Sequence, residues 1–84
     1  MHGRLRGTQG ATMTDQERRH LAQADRHIAQ YQDHIARQRQ LIRQLARRGQ
    51  STVWAQDMLE ALQANLQAFE RHRALIVAQM DAER

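Results

Sequence analysis

Apolar side chains recur every three and four residues along most of the chain, which is the spacing of one face of an α-helix. Residues 21 to 45 carry a seven-residue repeat whose two core positions hold Leu21, Ile28, Ile35 and Ile42 and, between them, Ala24, Tyr31, Gln38 and Leu45. A second repeat has Thr52, Leu59, Leu66, Arg73 and Met80 at one core position and Ala55, Leu62, Phe69, Ile76 and Glu83 at the other. The pattern predicts two coiled-coil helices, and the polar interruptions Gln38 and Arg73 are expected to fix their register.

Capping signals locate the ends of both helices. The segment TDQE at residues 14–17 matches the capping box, in which the Thr hydroxyl and the Glu carboxylate each accept a backbone N–H. Gly49 follows two arginines and predicts the end of the first helix, and Ser51 or Thr52 is the expected N-cap of the second. We predict one domain over residues 13–84, with a helix at 14–48, a turn at 49–51 and a helix at 52–82, after a flexible N-terminal tail at 1–12.

A turn this short requires the two helices to lie antiparallel, so the expected fold is an all-α coiled-coil hairpin. The register that aligns the two repeats pairs Ile28 with Phe69. Further apolar residues, among them Trp54, Leu75 and Val77, lie off the seam and widen the stripe beyond a two-helix contact. We therefore expect a homodimer that forms a four-helix bundle. Its oligomer seam is predicted to contain Leu21, Ile28, Ile35, Leu41, Ile42, Met58, Leu59, Leu62, Leu66, Phe69 and Ile76.

Composition narrows the classes of function. The chain has 84 residues and no Cys, which argues against a deep active-site cleft, a disulfide framework and a thiolate metal site. We expect no enzymatic activity, no cofactor and no small-molecule substrate. No run approaches the roughly 18 apolar residues of a membrane span, and no signal peptide is recognisable, so we expect a cytoplasmic protein that does not bind membranes.

Five arginines lie in the part of the first helix that precedes the predicted turn. All 13 basic side chains are arginine, which a GC-rich genome would also produce by codon bias, and the formal net charge is +4. Trp54, next to the turn, is either an interface anchor or a residue folded over the loop against Leu45 or Arg48. A nucleic acid or an acidic protein is the expected partner of this basic tip. The candidate contacts are Arg37, Arg39, Arg43, Arg47, Arg48 and Trp54.

Histidines form a second candidate site. His20, His27 and His34 are spaced seven residues apart, and the predicted register places His72 opposite His27. A His27/His72 pair is a candidate ligand set for a transition metal, and protonated imidazoles facing each other would repel in acid. However, seven residues span about 10 Å of helix, which is too far for chelation. We therefore assign no metal, and a solvated flank is the alternative interpretation.

The segments HLAQADRHIAQ and HIARQRQLIRQL, followed by a Gly-containing break and a second helix, resemble small uncharacterised bacterial α-helical hairpin proteins. The resemblance covers the chain from Met13 onward and implies the hairpin fold but no activity. Those proteins tend to have an acidic cap before the second helix, where this chain has Gln50, Ser51 and Thr52. The expected function is a non-enzymatic self-association or protein-interaction module. The alternatives are phosphate binding to nucleic acid at the Arg-rich tip and a metal- or pH-responsive bundle.

Overall fold

The computed structural model describes residues 14–83, and this part of the chain is all-helical. Helix α1 spans Asp15–Arg47, and helix α2 spans Val53–Ala82. The two helices pack against each other in antiparallel orientation, which confirms the predicted hairpin. Each helix is slightly shorter than predicted, because Thr14, Arg48 and Thr52 are cap residues rather than helical ones. The predicted tail at 1–12 lies outside the described residues.

The N-terminus of α1 is closed by the capping box that the sequence predicts. The backbone N–H of Glu17 donates to Thr14 Oγ1 over 3.1 Å, and the N–H of Thr14 donates to Glu17 Oε1 over 3.0 Å. Asp15 adds negative charge in the first turn and accepts a hydrogen bond from Arg18. These contacts satisfy backbone donors that have no partner within the helix and favour the positive end of its dipole.

The turn between the helices is a Schellman motif centred on Gly49. The N–H of Gly49 donates to the carbonyl of Ala46 over 3.0 Å, and the N–H of Gln50 donates to the carbonyl of Leu45 over 2.9 Å. Gly49 has a φ of +71°, in the left-handed region where a side chain is disfavoured. After it, the N–H of Val53 donates to Ser51 Oγ over 3.3 Å, while Thr52, the N-cap, makes no side-chain cap bond.

The core is a thin seam between the two helices. The buried apolar residues are Ala24, Ile35, Ala55, Leu62 and Met80, and all of them lie at the predicted repeat positions. The remaining apolar repeat residues are half-buried, and no large side chain among the described residues is fully enclosed. Two helices can shield each other on only one side, so a two-layer seam leaves its edges open to solvent.

Both polar interruptions of the seam make contacts across it. Gln38 is 8% exposed, and its Nε2 donates to the backbone carbonyl of Ala55 over 2.9 Å. Arg73 Nε donates to Asp25 Oδ1 over 2.5 Å. Phe69 lies between Tyr31 and His27, with ring centroids 5.1 and 4.9 Å away respectively. These contacts agree with the predicted register.

Candidate functional site

One flank of the hairpin carries no Arg, Asp or Glu. Residues spaced seven apart lie on the same side of a coiled-coil helix. In an antiparallel pair, the residues that flank the core on one side of the first helix lie next to those at the same repeat position of the second. On this flank α1 contributes three histidines and a leucine, and α2 contributes four uncharged residues. We call this flank the histidine face, and it consists of His20, His27, His34, Leu41, Met58, Asn65, His72 and Gln79.

The histidines of this face gather toward the open end of the hairpin. His20, His27 and His72 line one open groove of about 450 Å³, together with Phe69. His27 is half-buried against the Phe69 ring, whereas His72 is exposed, and His34 does not line this groove. Within residues 14–83, no group of three or more His, Cys, Asp or Glu side chains is placed to hold a metal ion. His27 and His72 therefore line the same groove.

The opposite flank is charged. Grooves on this flank are lined by Arg39 with Glu70 and by Arg39 and Arg43 with Glu60. The ion pair between Arg73 and Asp25 also closes this side of the seam. We call this flank the charged face, and it consists of Arg18, Asp25, Gln32, Arg39, Ala46, Gln56, Gln63, Glu70 and Val77.

A second seven-residue stripe runs along α2 beside the histidine face. Trp54 and Leu75 are 68% and 66% exposed, and the positions between them, Ala61 and Ala68, are exposed as well. We call this set the α2 stripe, and it consists of Trp54, Ala61, Ala68, Leu75 and Ala82. Sequence reasoning noted Trp54 and Leu75 as off the seam but missed their shared spacing with the alanines. The signal was a seven-residue repeat in which each stripe residue comes one position before a core residue of α2.

Trp54 does not fold over the turn. Trp54 is 68% exposed, even though Leu45 and Arg48 lie close to it in sequence. Val53 and Met58 near it are also exposed. The end of α2 next to the turn therefore presents apolar side chains to solvent.

The five arginines of the predicted tip do not form one cluster. Arg37 forms an ion pair with Asp33 and lies about 16 Å along α1 from Arg48, at 1.5 Å per residue. Arg39, Arg43 and Arg47 are spaced four residues apart and therefore follow one line on the exposed side of α1. None of these three forms an ion pair with a described residue.

Carboxylates meet at the open end of the hairpin. Glu83 lies beside Glu17, and a side-chain hydrogen bond between the two raises the pKa of Glu83, with like-charge repulsion adding to the effect. Asp15 and Asp81 lie at the same end. The open end is thus rich in acidic residues, while the turn end is rich in arginine.

Comparisons with protein-family models, with curated proteins and with solved structures gave no match. The resemblance to bacterial hairpin proteins therefore remains a prediction. Neither α1 nor α2 has a stretch sufficiently long and apolar to cross a lipid bilayer.

Proposed function

We propose that this chain is a non-enzymatic helical hairpin that acts as a self-association and protein-interaction module. The observation that carries the proposal is the incomplete burial of its apolar residues. Five apolar residues are buried between the helices, while Val53, Trp54, Met58 and Leu75 on α2 are left exposed. A helix whose apolar surface extends beyond its contact with one neighbour is typical of a bundle with more than two helices.

Single exposed apolar side chains are common on monomeric proteins and need no partner. Here, however, three of the four exposed ones, Trp54, Met58 and Leu75, lie on one side of one helix. Tryptophan is among the residues that contribute most to binding energy when it is buried in an interface. A second copy of the chain is the simplest partner, because a two-fold dimer of hairpins is a four-helix bundle.

The mass of the protein in solution tests this proposal. We expect light scattering and sedimentation equilibrium to give twice the chain mass of 9.8 kDa at micromolar concentration. Because Trp54 is the single tryptophan, a blue shift of its fluorescence with rising concentration reports its burial. A helical protein that keeps the single-chain mass and a solvent-exposed tryptophan spectrum up to millimolar concentration would overturn the proposal.

A second candidate function is phosphate binding along α1. It is favoured by the line of Arg39, Arg43 and Arg47, since none of the three forms an ion pair with a described residue. Arginine pairs well with phosphate and keeps its charge at any physiological pH. The carboxylates of Glu60 and Glu70 in the neighbouring grooves reduce the positive potential there, which places this function second.

Salt dependence tests the second candidate. Three phosphate contacts predict that affinity for duplex DNA falls about 40-fold between roughly 50 and 200 mM salt. Replacing Arg39 and Arg43 by Gln should remove most of this binding. Arg18→Gln is the matched control, because Arg18 lies at the other end of α1 and is paired with Asp15. Binding that is insensitive to salt, or equally weakened by the control, would exclude an arginine clamp.

A further inference from the structure

We infer that two copies of this chain pair antiparallel through the histidine face and the α2 stripe, about a two-fold axis near Asn65. The inference rests on the proposed self-association and names the surface, the orientation and the partner, which is a second copy of the chain. It is drawn from three features of the hairpin: the charge of its two flanks, the side-chain sizes along the stripe, and the charges at its two ends.

The first feature is the difference in charge between the flanks. The histidine face and the α2 stripe together hold no Arg, Asp or Glu, whereas the charged face holds both signs. Burying an ionised side chain against an identical surface is costly unless it finds an opposite charge in good geometry. Two copies can therefore cover the histidine face without burying an Arg, Asp or Glu side chain, and the charged face stays in solvent.

The second feature is the order of sizes along the stripe. The large residues Trp54 and Leu75 lie toward the ends, and Ala61 and Ala68 lie at the centre on either side of Asn65. Antiparallel pairing places the helical turn that carries Trp54 of one copy beside the turn that carries Leu75 of the other. The alanines then meet at the axis, where small side chains allow the closest approach of the helices. Asn65 meets its own counterpart there, as single polar residues do where they fix register in coiled coils.

The third feature is charge complementarity between the ends of the hairpin. Residues 37–60, around the turn, contain five arginines and two carboxylates. The described residues of the open end, 14–20 and 79–83, contain four carboxylates and two arginines. Antiparallel pairing brings each basic end beside an acidic end, whereas parallel pairing would bring the two basic ends together. Complementary charges at the rim of an interface favour the antiparallel arrangement.

The area of this surface is large enough for a stable dimer. The stripe from Trp54 to Ala82 is about 40 Å long at 1.5 Å per residue, and two helices side by side are about 20 Å wide. A contact over most of that rectangle covers roughly 700 Å² on each copy, close to the roughly 800 Å² per partner of stable protein interfaces.

The histidines make this pairing sensitive to acid. His27 packs on Phe69 and shares its groove with His20 and His72. No carboxylate occupies any position of the histidine face, and Glu17, three residues before His20, is the carboxylate that neighbours His20 on the surface of α1. A protonated imidazole carries positive charge, so lowering the pH from about 7.5 to about 5 would place positive charges of the two copies opposite each other. We expect the dimer dissociation constant to rise at least tenfold over this range. Replacing the exposed His20, His34 and His72 by Gln should remove most of that rise.

Matched alanine substitutions test the surface. Ala68 lies on the α2 stripe and Ala74 lies toward the charged face, and both are exposed on the same helix. Ala68→Glu and Ala74→Glu change the charge equally, and both introduce a good helix former. We expect Ala68→Glu to raise the dissociation constant at least tenfold and Ala74→Glu to leave it within a factor of two to three. Circular dichroism checks that both variants remain helical.

Cysteine cross-linking tests the orientation and does not depend on a disruptive variant. The chain has no cysteine, so a single introduced thiol forms a disulfide only with its own counterpart in a second copy. Such a bond requires the two Cα atoms to lie within about 7 Å. We expect Asn65→Cys to cross-link rapidly under mild oxidation, while Leu75→Cys and Ala74→Cys do not.

The outcomes separate this inference from the proposed function. A wild-type chain that stays monomeric overturns both, and its exposed stripe then belongs to a different partner. If the wild-type chain is a dimer that Ala74→Glu dissociates and Ala68→Glu does not, the proposed function stands, but the proposed contact surface is wrong. A dimer in which Leu75→Cys cross-links as fast as Asn65→Cys is parallel, and that result overturns the orientation.

Discussion

Gln38 is the buried polar residue of the seam, and replacing it by leucine tests whether its hydrogen bond stabilises the fold or selects the register. Its Nε2 donates to the carbonyl of Ala55, which is 1% exposed. The same carbonyl lies inside α2, where it also accepts the backbone N–H of Leu59. Gln38→Leu therefore removes one hydrogen bond without leaving a buried carbonyl unpaired.

The magnitude follows from two opposing contributions. The lost hydrogen bond destabilises the folded state by about 1 kcal/mol. A leucine in the same buried position contributes about 1.5–3 kcal/mol through removal of its side chain from water. We therefore expect Gln38→Leu to raise the free energy of unfolding by about 1 kcal/mol, which corresponds to a Tm about 4–8 °C higher for a domain of this size. We also expect a broader distribution of oligomers, because the polar contact that selects one register is gone.

The assay is thermal unfolding by circular dichroism at fixed protein concentration, with light scattering for the oligomer distribution. Gln38→Glu is the informative comparison, because its carboxylate would face the Ala55 carbonyl oxygen and has no proton to donate at neutral pH. In the folded state this burial raises the pKa of the introduced carboxyl, so its penalty is absent in acid and appears as pH rises through that value. A Tm of Gln38→Leu below that of the wild type would refute the reasoning.

Three further substitutions test the turn, the cross-seam ion pair and the open end. Gly49→Ala should destabilise the hairpin by about 1–2 kcal/mol in thermal unfolding, because the φ of +71° disfavours a side chain. Apart from Gly49 and its two chain neighbours, no heavy atom lies within 4 Å of the added methyl, so a loss well above that range would contradict a purely conformational cost. Asp25→Asn, which breaks the exposed pair with Arg73, should cost at most about 1 kcal/mol in urea unfolding, and the difference should shrink at high salt. Glu83→Gln should raise the Tm near neutral pH and not in acid. The folded state binds the Glu83 proton more tightly because of Glu17, so that contribution is present in acid and is lost as pH rises through the raised pKa. An equal effect of Glu83→Gln at both pH values would contradict this assignment.

Local and periodic features of the fold could be predicted from the sequence. The capping box at Thr14 and the helix end at Gly49 depend on residues within a few positions of each other. Both can therefore be predicted from the local sequence without knowledge of the fold. The register between the helices followed from the seven-residue repeat, and the contact of Phe69 with Tyr31 agrees with it. Gln38 was predicted to be a polar residue of the seam, but its acceptor, the backbone carbonyl of Ala55, could not be predicted from side-chain patterns.

The candidate surfaces were harder to predict because they depend on rotation around the helix axis. Five arginines that are close in sequence separate in space, since each residue turns about 100° from the previous one. The α2 stripe was missed for the opposite reason, because Ala61 and Ala68 are small and carry little weight in a search for hydrophobic periodicity. Whether Trp54 folds over the turn depends on packing, and its exposure became evident only from the structure.

The order of contacts along the hairpin also determines how the chain folds. The hydrogen bond from Gln38 to Ala55 closes a loop of 17 residues, and the ion pair of Arg73 with Asp25 closes one of 48. The longer closure costs about 1 kcal/mol more in chain entropy. Folding should therefore begin at the Gly49 turn and proceed like a zipper toward the open end. Substitutions near the turn should slow folding, whereas those near the open end should mainly speed unfolding and local proteolysis.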